Sequence, residues 1–396
     1  MGPTRVTAAV PTPSHPLQIS GFIIFGFIIR PGEGAASGES VNVFHIVGAR
    51  PNFMKVAPVM NALKTRPHIV QTLVHTGQHY DANMSEVFLE QLGIPAPDVN
   101  LAVGSGTHAR QTAEIMTRFE PVLLDRKPDL VLVYGDVNST VAAALVSAKL
   151  GVRVGHVEAG LRSFDRTMPE EINRLLTDQL ADLLFTPSED ADVNLRNEGI
   201  PAEQVFRVGN VMIDSLVKLL PAARRQSQTG LCLSQPKPYA LVTLHRPANV
   251  DDAAILKRIL QSLLEVSQDL AVVFPAHPRT RKRIADFGLQ AGQLQILDPL
   301  PYLEFLAMQS RATVVITDSG GIQEETTYLG VPCLTLRENT ERPVTVSLGT
   351  NVLVGCDPSK LRSEVSRVLA GQAKKGTIPP LWDGHAGERI AAVIAG

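Results

Sequence analysis

The sequence predicts an α/β protein built as two doubly wound parallel-sheet halves with a ligand cleft between them. Three observations carry this. From Val41 onward, short Val/Leu-rich runs alternate with stretches at helical spacing, the pattern of βαβ units and a parallel sheet. The alternation runs to about residue 210 and then starts again. Charged and small residues gather directly behind the apolar runs, where an open parallel sheet offers the carboxyl ends of its strands to a ligand.

The elements follow in order. VNVFHIV, residues 41–47, has strand length, and GARPNFMKVAPVMNALK behind it reads as a turn, a Pro-opened helix start and a 3.6-residue apolar stripe. HIVQTLVHTG, PDLVLVYGD and VRVGHVE repeat the strand signal, and NSTVAAALVSAKLG is a helix between the last two. The second half offers YALVTLH, AVVFPAH, QLQILDP, ATVVITDSGG, VPCLTLR and NVLVG. We set the boundary near VGNVMIDSL, giving a first domain of residues 41–210 and a second of 211–383. QSQTGLCLSQPKP reads as a polar insertion early in the second half.

Residues 1–40 stand apart, with Pro, Gly and Ser around one apolar run, ISGFIIFGFII. That run falls short of the ~20 apolar residues of a membrane helix, and only Arg5 precedes it, a weak start for a secretory signal. We expect a disordered extension there and no membrane segment elsewhere.

Composition narrows the classes further. A net charge of −2 gives no basic surface for nucleic acid or an anionic membrane. Cys232, Cys333 and Cys356 are single and scattered, which argues against a disulfide framework or a thiolate metal site and for a reducing cytoplasm. HExxH, GxSxG and GxGxxG are absent, so metal, acyl-serine and nicotinamide chemistry have no motif to stand on.

The candidates for chemistry sit behind strand-like runs. Arg50 and Lys55 straddle the first strand-to-helix turn, where cations suit phosphate or developing negative charge. Asp136 follows VLVY, Glu158 follows VRVGHV, His245 ends YALVTLH and His277 follows AVVFPA. ITDSGGIQEETTYLG joins a strand to a helix through Ser319, Gly320 and Gly321, a turn open to an anion or simply capped by Asp318 or Ser319. Glu324 and Glu325 lie in the first turns of that helix, and Arg342 of TERP follows the next strand. The stretch GHVEAGLRSFDRTMPEEINR adds carboxylates and cations beyond what a surface helix needs. The inventory fits acid–base chemistry on a phosphorylated or nucleotide-linked substrate.

GARPNFMKVAP, YGDVNST, GHVEAGLRSFDRTMPEEINR, VGNVMIDSL, TLHRP, ITDSGGIQEE and ENTERPV, in this order, resemble the non-hydrolysing UDP-N-acetylglucosamine 2-epimerases, from about residue 41 to the C-terminus. The resemblance implies a GT-B-like fold of two Rossmann-like domains. It also implies a C-terminal helix at about 384–396 returning to the first domain, a homodimer, and neither cofactor nor metal. The implied reaction inverts C2 of the sugar by eliminating UDP to a 2-acetamidoglucal and re-adding it. By resemblance, Asp136, Glu158, Glu170, Arg174 and His245 form the acid–base and charge-stabilising set. Arg50, Lys55, Ser319, Gly320, Glu325 and Arg342 are the implied UDP ligands, and His277 lines the cleft. Which carboxylate abstracts the proton stays open. Asp165, Arg166 and Glu171 are expected to be loop or solvated charges.

Departures from the family pattern concern QHYDANM and HRPANVD. Asp81 and Pro247 stand where substrate-activated members carry a polar amide and a cation, while Gln78 is kept, which leaves substrate activation open. HRPANVD also resembles relatives acting on other UDP-2-acetamido sugars, including diacetamido uronic acids. A hydrolysing epimerase and a GT-B glycosyltransferase are the rival readings.

Overall fold

The computed structural model describes residues 40–78, 86–226 and 238–396. The N-terminal run, Asp81 and most of QSQTGLCLSQPKP lie outside the described residues.

The first domain carries strands β1 (Val41–Val47), β2 (Ile69–His75), β3 (Val99–Asn100), β4 (Leu130–Tyr134), β5 (Arg153–Val157), β6 (Leu183–Thr186) and β7 (Val205–Arg207). They form one parallel sheet in the order β3-β2-β1-β4-β5-β6-β7. The second domain carries β8 (Tyr239–Thr243), β9 (Ala271–Pro275), β10 (Gln295–Leu297), β11 (Val314–Thr317), β12 (Cys333–Thr335) and β13 (Asn351–Leu353), parallel in the order β10-β9-β8-β11-β12-β13. Every strand-like run named from Val41 onward contains one of these strands. β3 and β7 were not read from the sequence because VN and VFR hold too few apolar residues to stand out, and LLFT of β6 was not because only Ala181 and Asp182 separate it from the helix Pro169–Leu180.

Helices cover both faces, so the central strands are apolar without alternation. LVLVY of β4 is buried along its whole length, as parallel strands require. The helix Ala253–Val266 shows how a layer attaches. Asp252 accepts from the N–H groups of Ala254 and Ile255, and Leu256, Ile259, Leu260, Leu263 and Val266 form the buried face. Burying each such side chain contributes about 1.5–3 kcal/mol.

The domains are joined by more than the linker. Helix Val211–Gln226 packs against both Arg50–Leu63 of the first domain and Tyr302–Gln309 of the second. The last helix, Ala386–Ala395, lies against Arg50–Leu63, with Ile390, Ala391 and Ile394 buried. Gly387 makes this approach possible, since a Cβ there would sit 2.6 Å from the Pro58 carbonyl oxygen. The Asp214 carboxylate accepts from the Gly387 N–H at 2.7 Å, a favourable place for negative charge at a helix N-terminus. Among the described residues no helix is long and apolar enough to cross a membrane.

In both sheets the strand order reverses beside the first strand of the domain, between β1 and β4 and between β8 and β11. Such switch points are where doubly wound sheets bind ligands.

Candidate active site

On the first domain the site is built from three turns. Behind β1, Asn52 accepts from the N–H groups of Gly48 and Ala49 and donates to the Tyr134 carbonyl, tying the β1 turn to the end of β4. One helical turn further, Lys55 is buried and its Nζ lies 2.7 Å from Glu158 Oε2. Arg50 opens this helix; its side chain lies outside what the structure describes. Behind β4, Gly135 takes a left-handed φ of 66°, and Asp136 follows it. The Asp136 Oδ2 accepts from Arg174 Nε at 3.0 Å and pairs with Nη2 at 2.8 Å. Burial works to raise the Asp136 carboxyl, but Arg174, Lys55 and Arg342 outweigh it and hold it below the usual range.

Behind β5, Glu158 has φ 74°, a conformation that costs a non-glycine residue about 1–2 kcal/mol. The N–H groups of Glu158 and Ala159 both donate to the Phe185 carbonyl, which holds the turn. Its carboxylate lies between Lys55 and Arg342. On helix Pro169–Leu180, Arg174 is buried beside Asp136. Glu170 makes no hydrogen bond or ion pair with a described residue, and its charge acts on Arg246 across the cleft. Glu171 corrects the expectation of a solvated charge. It is buried, accepts from the Ser163 N–H and hydroxyl and the Phe164 N–H, and pairs with Arg174. Its role is to fold the 162–174 loop around the catalytic candidates.

On the second domain, Asp318 behind β11 is fully buried and organises the end of β8. It accepts from the backbone N–H groups of His245 and Arg246 and from Asn249 Nδ2, and lies 2.9 Å from His245 Nδ1. Burial works to raise the Asp318 carboxyl, and the hydrogen bond and charge of His245 keep it low. Capping of the next helix by Asp318 or Ser319 does not occur: Asp318 faces β8, and Ser319 is the N-cap residue without a side-chain bond. His245 is oriented from Nδ1 while its side chain is 46% exposed, so Nε2 is the open end of the ring. His277 stands 6.3 Å from it, ring to ring, and caps helix Pro278–Asp286.

Gly320 starts helix Gly320–Leu329 beneath Arg342. A Cβ there would sit 2.4 Å from Arg342 Nη1 and 2.6 Å from Glu341 Oε1, so only glycine lets the guanidinium lie on the helix N-terminus. Arg342 reaches Glu158 with Nη2 at 2.9 Å, Glu324 with Nε at 2.8 Å, and Glu341 with Nη1. Glu341 also pairs with Arg337 and Arg246, and these cations overcome burial to hold it well below the usual range. Burial, reinforced by Glu158 and opposed by Arg342, pushes Glu324 up to about 7. Glu325 is not brought into this cluster. It points to Tyr302, whose hydroxyl donates to it at 2.8 Å, and burial pushes it up to about 7 as well.

The two halves therefore meet through the Glu158–Arg342 pair and through Met168, whose sulfur lies near Arg246 and Arg337. Sequence reasoning missed Arg246, Arg337 and Glu341 as site residues, offered Asp318 only as a helix cap, and named Glu324 without bringing it to the Arg342 cluster. The signal for three of them was adjacency: Arg246 follows His245, Glu341 precedes Arg342, and Asp318 precedes Ser319. Among the described residues no group of three or more His, Cys, Asp or Glu side chains is placed to hold a metal ion.

A cleft with paired carboxylates, an oriented imidazole and clustered guanidinium groups between two doubly wound sheets has close counterparts. A family model described as UDP-N-acetylglucosamine 2-epimerase matches residues 61–395. The chain belongs to the UDP-N-acetylglucosamine 2-epimerase family. It is similar to the UDP-N-acetylglucosamine 2-epimerase of Methanocaldococcus jannaschii, 44% identical over 359 residues that cover 88% of this chain and 97% of that one. A solved structure of UDP-GlcNAc 2-epimerase from this organism, in complex with UDP-GlcNAc and UDP, superposes with a TM-score of 0.82 at 43% identity, covering 89% of this chain and 99% of the other. The UDP-2,3-diacetamido-2,3-dideoxy-D-glucuronate 2-epimerase of Pseudomonas aeruginosa is equally similar, 44% identical over 358 residues covering 90% and 99%. The epimerase fold here is thus GT-B-like, two parallel-sheet domains with the switch points facing each other.

Proposed function

We propose that this epimerase inverts C2 of UDP-N-acetylglucosamine reversibly, giving UDP-N-acetylmannosamine without net hydrolysis. One observation carries the reading above the others. Asp136, Glu158 and Arg174 on the first domain are joined to Arg342 on the second by the 2.9 Å Glu158–Arg342 contact, and Arg246, the neighbour of His245, reaches Met168 of the first domain.

The chemistry calls for such an arrangement. The C2 proton of the sugar is weakly acidic, so its removal must accompany departure of UDP from C1. A base takes the proton as the C1–O bond breaks, and the C–H electron pair becomes the C1=C2 bond of a 2-acetamidoglucal. UDP then re-adds through its phosphate oxygen while an acid returns a proton to the other face of C2. Asp136, Glu158, Glu170 and His245 are the acid–base groups of this reading, each such group contributing about 10²–10⁴-fold. Arg174 tunes Asp136. Arg50, Lys55 and Arg342 take the charge that builds on the leaving diphosphate, with the Ser319–Gly320 helix start beneath it. Glu325, held by Tyr302, is kept as the ribose ligand, and His277 lines the cleft. Closure of the domains keeps water from the glucal. We take the enzyme to act as a cytoplasmic homodimer supplying an activated sugar for surface polysaccharide.

The second reading is a UDP-2,3-diacetamido uronic acid as substrate, favoured by the equal identity to the Pseudomonas aeruginosa relative. Proton NMR of UDP-N-acetylglucosamine with the enzyme in D2O tests both. UDP-N-acetylmannosamine carrying deuterium at C2 is the expected product. Free N-acetylmannosamine and UDP would mean a hydrolysing enzyme. An unchanged spectrum would refute this substrate, and the diacetamido uronate would be assayed next.

A further inference from the structure

Beneath the site lies a charge network that the proposed chemistry does not use. His156 sits on β5, fully buried, two residues before Glu158. Its Nε2 is 2.8 Å from the Gly135 carbonyl oxygen and its Nδ1 is 2.6 Å from Asp178 Oδ1. A backbone carbonyl only accepts, so Nε2 carries a proton. Asp178 is equally buried. Its other oxygen accepts from the Gly160 N–H at 3.1 Å and pairs with Arg162 Nη2 at 2.7 Å. With the Arg162 guanidinium and the Gly160 N–H both on Oδ2, Asp178 is held as a carboxylate independently of the histidine. An ionised Asp178 can only accept at Oδ1, so Nδ1 donates as well. Arg162 is held in turn by a two-pronged contact to Glu198.

We infer that His156 is a doubly protonated imidazolium serving as a positioning residue for the epimerisation, holding from below the two turns that carry Asp136 and Glu158. The inference rests on the epimerase reading for its kinetic consequence. Both turns are left-handed at the residue concerned, Gly135 at φ 66° and Glu158 at φ 74°. The Gly135 carbonyl that His156 grips belongs to the peptide leading into Asp136. The Gly135 N–H donates to the Val157 carbonyl, so the same peptide segment closes on the residue between His156 and Glu158. A neutral imidazole donates once and would leave either the Gly135 carbonyl or the carboxylate unbonded. His45 is the contrast within the same domain. It is as deeply buried but faces the Tyr134 hydroxyl and the Gln71 amide oxygen, and burial pushes it down to about 3, a neutral ring.

The test uses the full chain. Nitrogen NMR of histidine-labelled protein near neutral pH should show both ring nitrogens of His156 protonated and one ring nitrogen of His45 unprotonated. A singly protonated His156 would overturn the inference. In kinetics, His156→Gln keeps a donor to Gly135 but not the charge, and should lower kcat on the order of 10²-fold with the KM for the UDP-sugar little changed. A folded H156Q with the parent's kcat would also overturn it. A purely structural histidine would lower thermal stability without splitting kcat from KM. Should H156Q not fold, the ring protonation in the unaltered protein decides. Should the parent turn over no UDP-sugar, the functional reading fails, and the NMR result still decides the imidazolium.

Discussion

Gly135→Ala probes the site through a single methyl group. Two effects add. The residue has φ 66°, where an L side chain costs about 1–2 kcal/mol relative to glycine. The new Cβ would also lie 2.5 Å from Lys55 Nζ, while the nearest carbons of Lys55 stay at ordinary contact, 3.7 and 3.8 Å. A carbon needs roughly 3.5 Å, so the ammonium must withdraw by about an ångström. Lys55 is the 2.7 Å partner of Glu158, so the displacement falls on the ion pair at the centre of the site. A misplacement of that size costs on the order of 10²-fold in turnover. Gly151→Ala is the control. Its φ of 70° carries the same backbone cost, and nothing lies within 4 Å of the added methyl. G135A should lose at least as much thermal stability as G151A, since it also disturbs a buried ion pair, and only G135A should lose turnover, followed by NMR of the sugar nucleotides. G135A as active as G151A would refute the argument that Lys55 is fixed by the bare Gly135.

Arg342→Lys should lower kcat/KM and thermal stability together, since one ammonium cannot reproduce the separate contacts to Glu158, Glu324 and Glu341, and broken buried pairs cost about 3–5 kcal/mol; steady-state kinetics with a thermal shift assay checks this. Asp318→Asn keeps the shape but removes the charge that orients His245, and should lower kcat more than it raises KM. Glu325→Gln addresses pH. Burial pushes Glu325 from the ordinary 4.5 to about 7, so its contribution to stability is full below about 4.5 and is lost as pH rises to about 7. The thermal stability of E325Q relative to the parent should therefore increase across that window, and a pH-independent difference would refute the assignment.

The sequence by itself determined the layout. Runs such as VLVY and VVIT are apolar on both faces and are followed by small or charged residues, and that pattern alone commits them to parallel strands with ligand-facing ends. Asp136, Glu158 and His245 could be picked out for that reason, each lying one or two residues past a strand end, whereas Lys55 and Arg342 lie seven or eight residues beyond theirs and were picked out by their charge. Burial of charge was not legible. Glu171 and Glu170 are neighbours of the same type, yet one is sealed beneath the 162–174 loop and the other stands at the cleft. Glu324 and Glu325 likewise diverge, one towards Arg342 and the other towards Tyr302. The difference of about 100° between successive helical residues sends adjacent side chains to different surroundings, and which surroundings is set by the elements packed over each face: Ser163 and Arg174 for Glu171, Arg342 for Glu324, Tyr302 for Glu325. Pairing across the cleft, as in Glu158 with Arg342, joins residues 184 positions apart. Only the tertiary structure decided it, because the field that fixes a buried ion comes from groups that are distant in sequence.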